Sequence, residues 1–232
     1  MSGPARVPAL PRLPTVAVSP EQRAVTFMAA SVLLDYPGAD QPSRVAAVRD
    51  GVADLPPQVR ERLLTVAEHL LGSEGDAAAR HYVATFDLRR KCSMYLSYFH
   101  TGDTRRRGSA LVRFVEAYRA GGWEVDRDEL PDFLPITLEF AAVGDAEIGT
   151  SLLAAHREGL EVLRSALTSL ASPYAAAVEA VCMVLPRPTP DVEDRFLQLI
   201  TAGPPTEMVG LSALGPLEPF APGGASHEGV RA

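Results

Sequence analysis

Apolar residues recur at intervals of three and four along most of this chain, and that spacing decides which folds are open to it. Val25, Met28, Ala29, Val32 and Leu33 form one such stripe, and Val59, Leu63, Val66, Ala67 and Leu70 form a second. Leu111, Phe114, Val115 and Tyr118 form a third. Leu153, His156, Leu160, Leu163, Leu167 and Leu170 predict one long helix beginning after Asp145. Val178, Val181, Cys182 and Leu185 mark another, and Val192, Phe196, Leu199 and Ile200 a last one opened by Thr189-Pro190. Two-residue alternation is nearly absent; Tyr95-Leu96-Ser97-Tyr98-Phe99 is the best strand candidate, and it continues a helical context. The pattern predicts an all-α, single-domain, multi-helix bundle.

Punctuation supports this reading. Ser19-Pro20-Glu21 is an N-cap followed by proline at the first helical position. Tyr36-Pro37-Gly38, Gly72 and Gly121-Gly122 are stops, and Ser172-Pro173 is a start. Residues 1–18 carry Pro4, Pro8, Pro11 and Pro14 and no acid, the composition of a disordered tail. Residues 203–232 contain five prolines and six glycines, which reads the same way. The helical domain is therefore expected over residues 19–202.

Composition narrows the function. The chain of 232 residues has a net charge of −7, which disfavours a generic nucleic-acid binder. Two cysteines, Cys92 and Cys182, build no disulfide framework and suit a reduced compartment. Residues 1–18 lack an apolar signal region. The longest apolar run, Ala24 to Leu34, falls well short of the roughly 18 residues a membrane span needs. A cytoplasmic protein without direct membrane insertion is expected.

Catalytic signatures are missing. The histidines, His69, His81, His100, His156 and His227, show no metal-ligand spacing, and there is no phosphate loop or nucleophile elbow. His156 reads as a buried histidine with one hydrogen-bond partner, and both cysteines as small buried hydrophobes. The chain is not expected to be an enzyme, and no cofactor is expected.

The residues from Tyr82 to Phe140 are less ordinary. Arg105, Arg106 and Arg107 follow Gly102-Asp103-Thr104, a helix start, where each cation opposes the helix dipole by about 0.3–1 kcal/mol. They are either a solvated face with intramolecular acid partners or a binding patch for an anion. Farther on, Asp132 is placed to cap a helix starting near Phe133, with Pro135 in its first turn. Leu134, Leu138 and Ala141 then face the core and Glu139 faces outward.

Leu33-Leu34-Asp35-Tyr36-Pro37, Tyr82 with Phe86-Asp87, His100 to Gly108, and Glu129-Leu-Pro-Asp-Phe-Leu-Pro with Leu138-Glu139-Phe140 follow one another in a characteristic order. In this the chain resembles the nitrate reductase delta-subunit family of NarJ-type molybdenum cofactor assembly chaperones. The resemblance implies the TorD-like helical fold. It also implies a partner, the immature catalytic alpha subunit of a respiratory nitrate reductase, bound at its N-terminal segment so that the molybdenum cofactor can be inserted before membrane docking. The client-peptide site is expected to draw on Tyr82, Phe86, Asp87, Gly102, Asp103, Arg106, Arg107, Gly108, Asp132, Leu134, Pro135 and Glu139, with acids such as Asp132 and Glu139 holding basic client residues. Phe133 stands where the family often has histidine, so no imidazole role carries over. A chaperone for another molybdoenzyme, and a carrier of the cofactor itself, are the alternatives.

The tails give a first test. Trimming residues 1–18 and 204–232 is expected to shift the melting temperature by a few degrees at most, the change that follows from about 1 kcal/mol or less. A large loss would show that a tail packs on the core.

Overall fold

A complete capping box sets the first helix. In the computed structural model, Ser19 Oγ accepts the Gln22 N–H at 3.2 Å while Gln22 Oε1 accepts the Ser19 N–H at 3.1 Å. Residues 13–101, 105–125 and 129–186 are described, with the side chains of His100, Thr101, Arg105 and Arg106 left aside. Helices α1 (Pro20–Leu34), α2 (Gln41–Gly51), α3 (Pro57–Leu71) and α4 (Ala77–Tyr82) come first, followed by a π turn at Val83–Asp87 and a 3-10 turn at Arg90–Cys92. Then come α5 (Tyr98–Thr101), α6 (Arg105–Ala120), α7 (Leu134–Val143), α8 (Ala146–Ala155), α9 (Arg157–Ser169) and α10 (Tyr174–Val184). Among the described residues there is no strand, only an isolated antiparallel bridge between Tyr95 and Phe133. The helix expected from Thr189-Pro190 and the tail 203–232 lie outside the described residues.

Two helices are apolar nearly all round and form the interior, as such helices must. On α7, Leu134 to Leu138, Phe140 and Ala141 are buried; on α10, so are Tyr174, Ala177, Val178 and Ala180 to Val184. The first helix packs on both. Its small residues Ala29, Ala30 and Ser31 admit close approach, and Ser31 Oγ donates to Pro135 O at 2.7 Å in the buried contact. The α3 stripe is buried as expected, with Val59, Leu63, Val66, Ala67 and Leu70 all inward.

The α1 stripe is oriented differently from its reading. Phe27, Ala30, Leu33 and Leu34 enter the core, while Val25, Met28 and Val32 line a shallow groove toward α2 with Val48 and Val52. Because α1 is sandwiched between α2 and the α7/α10 pair, its burial spreads beyond one stripe.

The expected long helix after Asp145 is two helices. Asp145 does cap α8, accepting the Glu147 and Ile148 N–H groups at 3.0 and 2.9 Å. The break comes at His156, which is only half-buried. Its ring Nδ1 bonds the Leu152 carbonyl at 2.8 Å, the acceptor its own backbone N–H would use in a continuing helix. That N–H turns to Leu153 O instead, at 3.2 Å. Gly159 then lies against the Phe99 ring, and Leu170 is left exposed on the outer side.

The N-terminal boundary also moves. Residues 13–18 run along the bundle: the Val16 N–H donates to Met183 O at 2.8 Å, and Leu13, Val16 and Val18 pack on the core. Apolar residues between the prolines make this strap, which proline content alone conceals. Removal of residues 1–12 is therefore expected to be harmless, whereas a cut at 18 lowers the melting temperature measurably.

Packing of α8 on α7 depends on one glycine. A methyl group at Gly149 would overlap the Cα and Cβ of Ala141. Gly149→Ala is expected to cost about 1–3 kcal/mol by overpacking, read as a fall in melting temperature of roughly 2–4 °C per kcal/mol. Gly51→Ala, with open space around it, is the control; an equal effect at both positions would refute the packing argument.

His69 on α3 and His81 on α4 share a hydrogen bond, Nε2 to Nδ1 at 2.8 Å, beside the ring of Tyr174. Burial holds both imidazoles below their ordinary value of 6.5, and for His69 the proximity of His81 adds to this. As pH falls through 6.5, the unfolded chain takes up protons that the folded chain resists, so stability declines until the folded values are reached. His69→Gln is expected to give a shallower loss of melting temperature between about pH 7.5 and 5.5; parallel curves would exclude the pair as its source.

Candidate functional site

A pair of backbone hydrogen bonds organises the most elaborate cavity. Leu96 N–H donates to Asp132 O at 2.9 Å and Leu134 N–H donates to Met94 O at 2.8 Å, on either side of the Tyr95–Phe133 bridge. The strand-like stretch at 95–99 is thus extended at its start and helical from Tyr98. Asp132 does not cap α7; Phe133 occupies that position. Its carboxylate instead accepts the Ser97 N–H at 3.2 Å and the Ser97 hydroxyl at 2.6 Å through Oδ2. Tyr118 donates its hydroxyl to Pro131 O, tying the same segment to α6.

This clasp presents Tyr95 to a cavity of about 630 Å³. The Tyr95 hydroxyl donates to Glu129 Oε1 at 2.9 Å, its ring lies 5.6 Å from that of Phe133, and the Arg107 guanidinium sits 5.2 Å from its centroid. Such a stack favours the cation electrostatically. Burial and then the bond to Glu129 push the Tyr95 phenol up to about 12, so it stays a donor at neutral pH.

The opposite wall comes from the end of α1 and the π turn. Asp35 is held by Arg44, Nη2 to Oδ2 at 3.2 Å, and accepts the Tyr36 N–H at 2.9 Å. Tyr36, which is 52% exposed, meets Tyr82 edge to face at 5.3 Å. Tyr82 contacts Phe86 at 4.8 Å, and Phe86 contacts Tyr174 at 4.9 Å. The Leu88 N–H reaches Val83 O, the i to i−5 bond of a π turn, and the extra residue swings Asp87 to the rim beside Arg89 and Arg90. Burial, with Asp35 and Asp87 nearby, drives the Tyr82 phenol far above its usual range.

The cavity therefore gathers Tyr82, Phe86, Asp87 and Arg107 from the residues expected at a site. Others fall elsewhere. Asp132 is 0% exposed and turned to Ser97. Leu134 and Pro135 are buried at the start of α7, Glu139 is half-buried on that helix, and Gly108 is exposed on α6 with open space around it. Gly102 and Asp103 lie outside the described residues, as does the side chain of Arg106. Asp35, Tyr36, Tyr95, Tyr98 and Glu129 line the cavity without having been singled out as site residues. Both Asp35-Tyr36 and Glu129 stand inside the sequence elements that carry the family resemblance, and that was the available signal.

Aromatic walls with cations and acids on one rim suit a chain segment that is apolar on one side and charged on the other. Burial raises both thiols, that of Cys182 to about 12, so neither is poised as a nucleophile. Among the described residues no three of His, Cys, Asp or Glu converge as a metal site, and no helix is long and apolar enough to cross a membrane.

Known proteins are similar to this chain in sequence and in fold. The nitrate reductase-like protein NarX of Mycobacterium tuberculosis is 40% identical over 158 residues, 68% of this chain; the match spans only 24% of NarX. NarJ of Bacillus subtilis, assigned as a nitrate reductase molybdenum cofactor assembly chaperone, is 34% identical over 167 residues, covering 70% of this chain and 89% of that protein. The crystal structure of a proposed redox enzyme maturation protein from Archaeoglobus fulgidus superposes with a TM-score of 0.51 at 20% identity, over 73% of this chain and 96% of that one. That likeness establishes the helical fold of such maturation proteins. With the nitrate reductase delta subunit model matching residues 52–180, the chain belongs to the nitrate reductase delta subunit family.

Proposed function

We propose that this protein is an assembly chaperone, not an enzyme, for the catalytic alpha subunit of a respiratory nitrate reductase. It binds the apo form of that subunit at its N-terminal segment, holds it open for insertion of the molybdenum cofactor, and leaves before the subunit docks at the membrane. The cytoplasm is the compartment in which this takes place. Family membership and the chaperone name of the Bacillus subtilis relative support the role. The observation that carries the site is the cavity framed by Tyr36, Tyr82, Tyr95 and Arg107, where aromatic faces and charges of both signs meet. An amphipathic client helix lays its apolar face on the tyrosines and its charges on the rim. Turnover is not required, only stronger binding to the immature client than to the finished enzyme.

A second reading rests on Arg89, Arg90 and Arg107 at the same cavity, beside stacking tyrosines. These are groups that grip the phosphates of a pterin dinucleotide. One mutant series separates the two. Tyr36→Ala, Asp87→Lys and Arg107→Gln alter half-exposed or exposed side chains and are expected to leave the melting temperature within a few degrees. Each is expected to weaken capture of a client N-terminal peptide by about tenfold, or about 1.4 kcal/mol, measured by calorimetry. Unchanged peptide binding in all three would remove the cavity from the mechanism. If instead only cofactor binding weakens, and most in Arg107→Gln, the carrier reading replaces the chaperone one.

A further inference from the structure

One corner of the tyrosine-lined cavity leaves its polar groups unanswered. Tyr82 forms its floor: only 5% exposed, it is walled by Tyr36, Phe86 and Tyr174 at ring-centroid distances of 5.3, 4.8 and 6.1 Å. Among the described residues its hydroxyl makes no hydrogen bond, although a buried phenol usually finds a partner. After burial, Asp35 and Asp87 do most to raise that phenol, which places both carboxylates near the hydroxyl. The two acids differ. Asp35 is engaged, by Arg44 at Oδ2 and by the Tyr36 N–H at Oδ1. Asp87 is exposed, and among the described residues its carboxylate accepts no hydrogen bond and joins no ion pair. Arg89 and Arg90 share its rim without pairing with it; Arg89 turns its Nε back to Ala84 O at 3.2 Å.

We propose that this corner takes a guanidinium group of the client: an arginine side chain that lies on the Tyr36 ring and donates to the Asp87 carboxylate and the Tyr82 hydroxyl oxygen. The owner of that arginine rests on the proposed chaperone role; the chemistry of the corner does not. Asp87 supplies an unshared charge, and a carboxylate takes the planar fork of arginine through two parallel bonds, which an ammonium cannot offer. Tyr36 supplies the face: it is 52% exposed, its backbone is held by Asp35, and among the described residues no cation stacks on it. The cavity already uses this chemistry once. On the opposite wall the Arg107 guanidinium lies 5.2 Å from the Tyr95 centroid, and the Tyr95 hydroxyl is bonded to an acid, Glu129. Tyr36, Tyr82 and Asp87 repeat that aromatic-and-acid arrangement for a cation supplied from outside. A client segment is thereby read for an arginine at the Tyr36 end of its apolar face.

Nα-acetyl-arginine amide, titrated into the full chain carrying isotope-labelled tyrosine, probes the corner without any client, so its failure and that of the chaperone role are distinguishable. Nuclear magnetic resonance is expected to show saturable shifts of the Tyr36 and Tyr82 rings and none of Tyr118, which is 1% exposed in the core. The lysine analogue is expected to bind severalfold more weakly, and Asp87→Asn, with an unchanged melting temperature, to abolish the shifts. A second arm uses a synthetic peptide of the alpha subunit's N-terminal segment with citrulline, which keeps the shape and loses the charge, in place of each arginine in turn. At one arginine the exchange is expected to weaken binding about tenfold in the unmutated protein and not at all in Asp87→Asn. No shifts, shifts equal for both analogues, shifts that persist in Asp87→Asn, or equal losses on both proteins at every arginine would each overturn the proposal. Binding of the arginine amide with no binding of the peptide would keep the corner and overturn the chaperone role.

Discussion

The wall of the tyrosine-lined cavity that carries Tyr95 and Phe133 leans on the two-bond clasp between residues 94–96 and 132–134. These are neutral amide bonds, each worth only about 1 kcal/mol net, but they fix the one place where non-helical chain passes beside the start of α7. Asp132 makes the arrangement one-way. Its carboxylate is wholly enclosed and bonded to Ser97, so withdrawing the 94–97 segment would strand it away from water. Tyr95, Phe133 and Glu129 are therefore held by a penalty for opening more than by strong attraction. The arrangement fixes one wall of the cavity on a loop.

How much of this is legible in the sequence depends on whether a signal is local. The start of α1, the face of α3 and the helix start after Asp145 depend on near neighbours in the chain, and each agrees with its reading. The fate of Asp132 does not. Its position just before the expected helix start at Phe133 suggests a cap, but a partner 35 residues away claims the side chain. The α8/α9 break is hidden for a similar reason: a histidine on an apolar stripe looks continuous until its ring takes the backbone carbonyl below it. The α1 stripe misleads because a helix with neighbours on both sides has no single inward face.

The arginines after Gly102 illustrate a middle case. Their conflict with the helix dipole signals a role other than helix stability, without saying what it is. For Arg107 the structure supplies a partner, the Tyr95 face, at the mouth of the cavity. Asp35, Tyr36 and Glu129 carry no such conflict. Each has an ordinary local role, in an ion pair or a turn, and only the tertiary arrangement brings them to the same cavity.

The strap at residues 13–18 bears on how the molecule is made. Its anchor, Met183, lies some 167 positions later in the chain, and α1 rests on α7 and α10 as well. During synthesis the earliest helix emerges with Phe27, Leu33 and Leu34 bare and must wait for almost the whole domain before its cover exists. Contacts so distant in sequence slow folding and prolong exposure of apolar surface. A protein of this architecture thus spends its own nascent life as a chain with an uncovered N-terminal helix.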